Sequence, residues 1–508
     1  MRARLPKQHL ALAAAGHRHT RGTTTRGRGT AAGCPTTPHP APRSPLPAPH
    51  GATAADGMKV RVLRRDEREA TGVREPGDLR RVHRNPAPQL HPFEKAKEAT
   101  RAVNAAKLDR VFARPFVAAL EGHCDGITAL ARSPTRLNSL VSGAADGEVR
   151  LWNVPERRAL VTMVGHTRAV QGLAVSRDGS LAVSCSDDCT ARLWRLPVAH
   201  KVGSQGGATE EALMEYRAKA GLRGVDHHWQ KDLFATAGAG VSLWSHERAN
   251  PVNQFDWGVD SVISVRFNPV EADVFASTGA DRSFVLYDLR VATPLRKLIM
   301  QTRNNALCWN PIEAFNFTVA NEDTNLYTYD MRKLDRALCV HQDHVSAVMD
   351  VDYAPTGREF VSGSYDRSVR IFPYNGGHSR EVYHTKRMQR VFCVRFSGDA
   401  SYVASGSDDM NVRLWKAHAS EQMGTLLPRE KNKKAYNKAL LERYKHLPEV
   451  KRITRHRHLP KGIYKTAKLH RQIVNADKRK EKNVIAHSRR GSVKPKAART
   501  KKIVREQE

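Results

Sequence analysis

The sequence predicts an all-β fold, a seven-bladed propeller ring flanked by basic arms that are helical or extended. The first observation is a repeat whose aromatic endings are separated by 42, 50, 43, 42, 43 and 43 residues. These endings are Trp152, Trp194, Trp244, Tyr287, Tyr329, Phe372 and Trp415. The second observation is an aspartate six residues before six of the seven, at Asp146, Asp188, Asp281, Asp323, Asp366 and Asp409.

Repeats of this length and ending are typical of WD40 propeller blades. Each blade is a four-stranded antiparallel sheet whose inner strand faces a central channel. The repeats predict a ring over residues 115–428, between an N-terminal extension (1–57), an N-terminal arm (58–114) and a C-terminal tail (429–508). A rigid ring that presents its loops on two faces suits a platform on which other molecules dock.

A recurring set of His, Ser, Asp and Trp predicts a buried hydrogen-bond chain that stabilises the blades. The aspartate falls in a tight turn, where a short side chain can accept bonds from backbone amides. The complete sets are His123, Ser142, Asp146 and Trp152; His166, Ser184, Asp188 and Trp194; and His384, Ser405, Asp409 and Trp415. Such residues also form catalytic sets, but their recurrence once per blade favours the structural interpretation.

Two segments depart from the plain repeat. In blade three, Gly238 replaces the turn aspartate, and residues 197–221 lengthen the preceding connection. This stretch predicts a protruding loop, with a helix-forming segment (TEEALMEYRAKAG) after its Gly-Gly pair. Residues 115–120 are predicted to form the outer strand of blade seven, which would close the ring and remove an exposed sheet edge.

The ring and its flanks differ in net charge. The net charge is +33, and the tail holds 27 Lys and Arg residues against 7 Asp and Glu residues. The ring span has a net charge of −1. A polyanion is therefore expected to bind mainly the flanks. The alternative, that the tail only supports solubility or nuclear import, stays open.

The N-terminal extension (1–57) is interpreted as a disordered basic segment, and as an upstream extension of the reading frame that continues at Met58. Its apolar run at 10–16 follows Arg2, Arg4 and Lys7, which weakly resembles a targeting leader. No stretch approaches the roughly 18 apolar residues that a membrane span needs, so no membrane partner is expected.

Both arms contain predicted helices. In the N-terminal arm, Ala, Lys, Glu and Arg dominate a segment that predicts a helix over about 93–111, after a proline-broken strap at 84–92. In the tail, a helix is predicted from Glu430 until Pro448 ends it. Tyr436, Leu440, Tyr444 and Leu447 form one stripe of that helix.

A basic helix with tyrosines can dock on protein and present cations to phosphates. RNA is favoured over a membrane surface, because the apolar stripe is narrow and rich in tyrosine. The predicted RNA-binding or particle-binding residues are Lys433, Lys434, Arg443, Tyr444, Lys445, Lys451, Arg452, Arg455, Arg457, Lys461 and Lys465. Short basic clusters near the end of the chain suit import into the nucleus and retention in the nucleolus.

An Asp-x-Arg motif follows the strand-ending aromatic in two neighbouring blades, as Asp288 with Arg290 and Asp330 with Arg332. Aspartate at this position usually caps a turn. The arginine two residues later resembles the WDxR box by which WD40 substrate receptors dock onto the propeller adaptor of cullin-4 RING ubiquitin ligases. The four residues are therefore a predicted ligase-adaptor docking site.

The sequence predicts no enzyme. It has no phosphate-cradling glycine loop, nucleophile elbow or cluster with metal-ligand spacing, so no catalytic residue, metal or cofactor is expected. The seven cysteines are scattered without a CxxC pair. They suit small buried residues in a reducing compartment.

The chain resembles the Sof-one-like WD40 proteins of the small-subunit processome. The resemblance covers about residues 58–508 and is strongest in LLERYKHLPEVKRITRHRHLPKGIYK; it also includes 90–116, 221–229, 268–290 and 304–332. The loop at 197–220 lacks the acidic run of relatives. The resemblance implies a nucleolar scaffold that works with pre-rRNA, the box C/D small nucleolar ribonucleoprotein and other processome proteins. The vertebrate member is also described as a cullin-4-associated receptor, so a ligase substrate receptor remains a compatible alternative.

Overall fold

The structure, a computed structural model, describes residues 87–197, 208–256, 261–291 and 293–507. The predicted extension (1–57) and residues 58–86, which include the first three residues of the strap, lie outside these ranges. Within them the strands form seven sheets, and each inner strand lies beside the inner strand of the next sheet. The inner strands of blades seven and one are also neighbours. The predicted seven-bladed propeller is therefore confirmed.

The strands of each blade run from the channel to the outer edge. In blades one to three they are Ile127–Arg132, Ser139–Ala144, Val149–Asn153 and Arg158–Met163; Val170–Val175, Leu181–Ser186, Thr190–Arg195 and Met214–Arg217; Gly224–His227, Leu233–Ala237, Val241–Ser245 and Asn253–Phe255.

In blades four to seven they are Val262–Phe267, Val274–Gly279, Ser283–Asp288 and Arg296–Met300; Asn304–Trp309, Asn316–Asn321, Asn325–Asp330 and Cys339–Gln342; Val348–Tyr353, Glu359–Ser364, Val369–Pro373 and Glu381–Tyr383; Val391–Phe396, Tyr402–Ser407, Val412–Lys416 and Phe116–Leu120. We call the face that carries the loops after the inner and third strands the lower face, and the opposite one the upper face.

Closure of the ring follows the prediction. Phe116–Leu120 pairs antiparallel with the third strand of blade seven, from Phe116 opposite Trp415 to Leu120 opposite Val412. The Phe116 ring packs edge-on against Trp415, with centroids 5.6 Å apart. Strands from the two ends of the ring thus share one sheet, which covers an edge that would otherwise bind other chains.

The cores lie between neighbouring blades. Second strands such as Ser139–Ala144 are buried on both faces, because a blade packs on either side of them. The third-strand tryptophans are at most 1% exposed; they are Trp152, Trp194, Trp244 and Trp415. Burial of side chains this large dominates the packing energy of each interface.

The segment 197–221 differs from its prediction. Ala208–Glu210 runs parallel to the outer strand of blade one, and Met214–Arg217 is the outer strand of blade two. The predicted helix is therefore wrong. Tyr216 is fully buried, with its ring 5.6 Å from that of Trp244, so packing overrides the local helix propensity. Residues 198–207 lie outside the described ranges.

The arms contain four α-helices in the part of the chain that the structure describes. They are α1 (Glu94–Val111), α2 (Pro428–Arg443), α3 (Pro448–Arg455) and α4 (Lys461–His487), and a short 3₁₀ helix at Pro88–Leu90 precedes them. The expectation that Pro448 ends the tail helix is wrong. Proline instead begins α3, at a position where its missing N–H leaves no bond unmade. Among the described helices, none combines the length and apolar character needed to cross a bilayer.

Helices α1, α2 and α3 share a small core of their own, which we call the arm module. Its buried residues are Ala102, Leu440 and Val450, and Tyr444 and Leu447 pack against them. Tyr436, which the sequence places on the same stripe, is instead 49% exposed. After α4, the strand Ile503–Gln507 pairs with the outer strand of blade four. The tail thus binds the ring at both of its ends.

Candidate functional site

The hydrogen-bond set is complete in blade two. Trp194 Nε1 donates to Ser184 Oγ at 2.8 Å, and the hydroxyl lies 2.7 Å from His166 Nε2. His166 Nδ1 lies 2.9 Å from the Asp188 carboxylate. Burial lowers the pKa of His166 even though Asp188 opposes the shift, so the ring is neutral. Its single proton is on Nδ1, and the chain of donors runs from the tryptophan to the aspartate.

The turn that holds each aspartate explains why this residue type recurs. The residue after it has a left-handed backbone, with φ of 66° at Cys189 and 64° at Arg367. The aspartate accepts the amide two residues on, as from Thr190 to Asp188 at 2.9 Å. That bond offsets the strain of a non-glycine residue at positive φ. The aspartates are therefore structural.

Blade seven does not form the predicted set. Trp415 Nε1 donates to Ser405 Oγ at 2.8 Å, but His384 Nε2 donates to the backbone oxygen of His458 in the tail, at 3.1 Å. Asp409 pairs with Arg413 instead, Oδ1 to Nη1 at 2.9 Å. The assignment of His384 to the hydrogen-bond set is wrong. Its ring binds the tail instead, and the repeat pattern of the blades does not encode that contact.

Blade one forms the set in part. His123 Nε2 and Trp152 Nε1 both lie 2.6 Å from Ser142 Oγ, while His123 Nδ1 has no hydrogen-bond partner. His123, Asp146 and Glu148 form the one group of three possible metal ligands within the described residues. Glu148 pairs with Arg150 at 2.8 Å, and Asp146 accepts the amide of Glu148. These carboxylates are engaged in the turn, and we assign no metal to them.

The two Asp-x-Arg motifs lie at equivalent positions of blades four and five, where the third strand ends on the lower face. In each, the aspartate accepts the arginine amide at 3.0 Å, which fixes the turn. The side chains of Arg290 and Arg332 are 74% and 60% exposed. The structure therefore presents both guanidinium groups to solvent from neighbouring blades.

Each arginine is held by a carboxylate. Arg332 forms two hydrogen bonds to Asp330, at 3.1 and 2.9 Å, and its guanidinium lies 4.3 Å from the centre of the Phe315 ring. Partial burial works against ionisation of Asp330, but Arg332 outweighs it and lowers the pKa of that carboxyl. Arg290 contacts Asp273. Hydrogen bonds from Lys231 and Arg290 lower the pKa of Asp273. Both arginines are thus pre-positioned.

The tail and the N-terminal arm meet at one buried carboxylate on blade six. Glu381, which is 7% exposed, lies 3.2 Å from Arg457 Nε in the tail and 3.3 Å from Arg110 Nη1 in α1. Arg110 also donates to the backbone oxygen of Thr454 at 2.8 Å. Burial lowers the pKa of Arg457 to about 10, and Glu381 limits the decrease. Arg457 stays charged and binds the tail to the ring.

The structure divides the predicted RNA-binding residues into two groups. Arg443 and Tyr444 contact Glu98 of α1, the tyrosine hydroxyl at 2.8 Å, and Arg457 contacts Glu381. These three hold the arms together, and Lys434 is half-buried. The others are exposed to solvent, namely Lys433, Lys445, Lys451, Arg452, Arg455, Lys461 and Lys465.

Helix α4 adds a basic surface that the sequence reasoning did not include beyond Lys465. None of its residues is buried, and its further exposed cations are Lys468, Arg471, Lys478, Arg479, Lys480 and Lys482. The helix lies over the upper face of blades five and six, above a cavity of about 570 Å³. Beyond it, Gln301 donates to the backbone oxygen of Lys502 at 3.0 Å. The sequence signal for this surface is the length of the basic segment. The spacing of its apolar residues makes the helix hard to recognise from the sequence.

Comparison with protein families and individual proteins agrees with this architecture. The family described as "Sof1-like domain" matches residues 417–503. The family described as "WD domain, G-beta repeat" matches residues 114–153, 157–195, 336–372 and 379–416. Blades three to five lie largely outside these matches.

Individual relatives extend the similarity over most of the chain. DDB1- and CUL4-associated factor 13 of Danio rerio is 50% identical over 452 residues, which cover 88% of this chain and 99% of that protein. The Homo sapiens protein of the same name is 50% identical over 448 residues, with the same coverage. Protein SOF1 of Saccharomyces cerevisiae is 46% identical over 444 residues, 84% of this chain and 91% of that protein. The chain therefore belongs to the Sof1-like family of WD40 propeller adaptors.

Proposed function

We propose that the protein is a non-enzymatic nucleolar scaffold that acts in pre-rRNA processing within the small-subunit processome. The ring contacts other processome proteins, and the basic arms contact pre-rRNA and the box C/D small nucleolar ribonucleoprotein. One observation carries the proposal: a tail with 27 basic and 7 acidic residues is bound to a ring of net charge −1. The relationship to Protein SOF1 supports it.

The geometry favours α4 as the main RNA-binding element. It extends 27 residues, about 40 Å at 1.5 Å per residue, and its cations are exposed along its length. Contacts of this kind act on phosphates, so they position a protein on RNA without reading sequence. The arm module serves to orient the start of this helix on the ring.

The experiment is RNA crosslinking with sequencing on the full chain, and it compares two triple variants. The first replaces Lys465, Lys468 and Arg471 of α4 by Gln. The matched control replaces Lys219, Arg223 and Arg248, which are exposed on blades two and three. We expect crosslinks on small-subunit precursor rRNA or its guide RNA to fall only in the α4 variant. Sparse and diffuse crosslinks in every chain would leave the tail as a nuclear address.

A second function is favoured by the lower face of blades four and five. We propose that Asp288, Arg290, Asp330 and Arg332 dock the chain onto the propeller adaptor of a cullin-4 RING ligase, for which it would be a substrate receptor. The exposure of both arginines supports this role, as does the relationship to DDB1- and CUL4-associated factor 13. Helix α4 lies on the upper face and the Asp-x-Arg motifs lie on the lower face, so the two functions are compatible.

Substitution of both Arg290 and Arg332 by Ala separates the two functions. We expect loss of adaptor binding in a pull-down while pre-rRNA processing in the same cells persists. The matched control is Arg195→Ala, an exposed arginine that directly follows the third-strand tryptophan of blade two. Unchanged adaptor binding in the double variant would remove the assignment of this site.

A further inference from the structure

The seam between blades seven and one contains a cavity of about 380 Å³ on the lower face, which we call the seam pocket. Its apolar floor includes the aliphatic side chains of Val117, Leu140, Val154 and Leu414, and polar and charged residues complete the lining. Its volume lies within the roughly 300–1,000 Å³ of sites that bind small molecules.

The pocket is a product of ring closure. The pairing of the closure strand shifts register between Phe116 and Ala118, so Val117 lies at a bulge. A bulge re-aims a side chain relative to a regular strand, and Val117 lines the pocket. The other walls come from blade one and the loop after the inner strand of blade seven. The pocket therefore exists only when both ends of the ring meet.

The rim of the seam pocket is basic. Arg157 is exposed in a left-handed turn with φ of 57°, and the half-buried Arg136 donates to the backbone oxygen of Pro197 at 3.0 Å. Asp399 is the one acidic residue that lines the pocket, and its carboxylate accepts the amide of Ser401 at 3.2 Å. Neither arginine has a carboxylate partner among the described residues.

The basic surface continues to the mouth of the central channel. Arg132 and Arg395 line both the seam pocket and a cavity of about 290 Å³ at that mouth. Both are compensated, because Arg395 lies 2.8 Å from Asp350 and Arg132 lies 4.0 Å from Asp352. Arg177, also at the mouth, is exposed and lies 5.8 Å from the centre of the Trp229 ring, without a carboxylate partner in the described ranges. The positive charges without a carboxylate partner in the described ranges are therefore those of Arg136 and Arg157 at the pocket and Arg177 at the mouth of the channel.

We infer that the seam pocket binds an extended acidic peptide segment of a partner protein. Adjacent leucine and phenylalanine side chains enter the pocket, and carboxylates on either side contact Arg136, Arg157 and Arg177. The occupant is a peptide and not RNA because aliphatic side chains outnumber aromatic ones in the pocket. Of its two aromatic residues, Phe396 is 1% exposed and Tyr402 is half-buried, which leaves little ring surface for the base stacking that binds single-stranded RNA. The inference rests on the proposed function, in which the ring contacts other proteins, and it specifies the chemistry of one such partner.

The test is fluorescence anisotropy on the full chain with the labelled peptide Asp-Glu-Asp-Leu-Phe-Asp-Glu-Asp. We expect saturable binding that weakens about tenfold or more when Arg136 and Arg157 are both changed to Glu, because reversed charges repel the ligand. The matched control is Arg282→Glu, which reverses an exposed arginine at φ of 68° in a turn of blade four. It should bind as the unchanged chain does.

Two further probes make the outcome decisive. A peptide with Ser-Ser in place of Leu-Phe should bind at least about tenfold more weakly, since it leaves the aliphatic floor unfilled. Equal binding of the two peptides, or no saturable binding of the first, would overturn the inference. So would preferential binding of labelled oligouridine that the Arg136 and Arg157 changes abolish. The test uses neither pre-rRNA nor the ligase adaptor, so its failure is distinguishable from failure of the proposed functions.

Discussion

Arg457 of the tail and Glu381 of blade six form an ion pair, with Nε 3.2 Å from Oε2. The side chains are 15% and 9% exposed, so water screens the pair weakly. Arg457 also donates to the backbone oxygen of Arg380. Because Arg110 of α1 reaches the same carboxylate, both arms depend on one residue of the ring.

Glu381→Gln is expected to loosen both arms together. It leaves Arg110 and Arg457 without their charged partner, and removal of one member of a buried pair costs about 3–5 kcal/mol. Amide hydrogen exchange in α1 and α3 should accelerate at least about tenfold. The matched control is Glu359→Gln, which breaks an ion pair of 2.7 Å with Arg380 that includes no arm residue. Unchanged exchange in Glu381→Gln would show that the apolar arm module alone holds the arms.

Ser184→Ala should destabilise the ring more than Ser405→Ala does. In blade two the change orphans both Trp194 Nε1 and His166 Nε2, whereas in blade seven only Trp415 Nε1 loses its partner. An unsatisfied buried group costs about 1–3 kcal/mol, so the first variant should lose about twice as much. Thermal unfolding of the two variants measures the ratio. Equal losses of stability would mean that His166 contributes nothing to the buried hydrogen-bond chain of blade two.

Removal of the closure strand should open the ring. A chain that begins at His123 lacks Phe116–Leu120 and exposes the third strand of blade seven, whereas one that begins at Arg114 keeps it. Both lack α1, which makes the comparison specific. We expect a lower melting temperature and self-association of the shorter chain through its free edge. Size-exclusion chromatography would contradict closure if both chains stayed monomeric and equally stable.

Stability should decrease in mild acid because of His341. Burial lowers the pKa of the His341 ring to about 4, from the ordinary histidine value of 6.5, while its Nδ1–H donates to the Gly376 backbone oxygen at 2.6 Å. Between these pH values the unfolded chain binds the proton more readily. The stabilisation is therefore complete above pH 6.5 and decreases as the pH falls towards 4, by up to about 1.4 kcal/mol per pH unit.

The measurement is the melting temperature from pH 7.5 to 5 in His341→Asn. The variant should be less stable at pH 7.5, because Thr328 loses its 2.9 Å partner, but it should lose less on acidification. His378→Gln is the control, since the His378 side chain is 82% exposed. An identical pH slope in all three chains would assign the acid sensitivity to other buried histidines.

The sequence by itself determined the ring and its closure. A repeat of 42 or 43 residues ending on a buried aromatic encodes one blade at a time, so the pattern is local and can be read from the chain. The turn aspartates and the closure strand follow from the same local logic. The Asp-x-Arg turns are also local motifs. Each directly follows a third strand, and this position in the blade places both on the same exposed face.

Only the tertiary structure decided which residues serve the ring and which serve the arms. His384 matches the blade pattern yet contacts the tail, and Tyr216 lies in a helix-prone segment yet is buried in a strand. Arg457 looks like an RNA contact in sequence, but its partner Glu381 is 76 positions away. Each outcome depends on a contact between distant segments, and its energy exceeds the small local preferences of about 1 kcal/mol that a sequence displays.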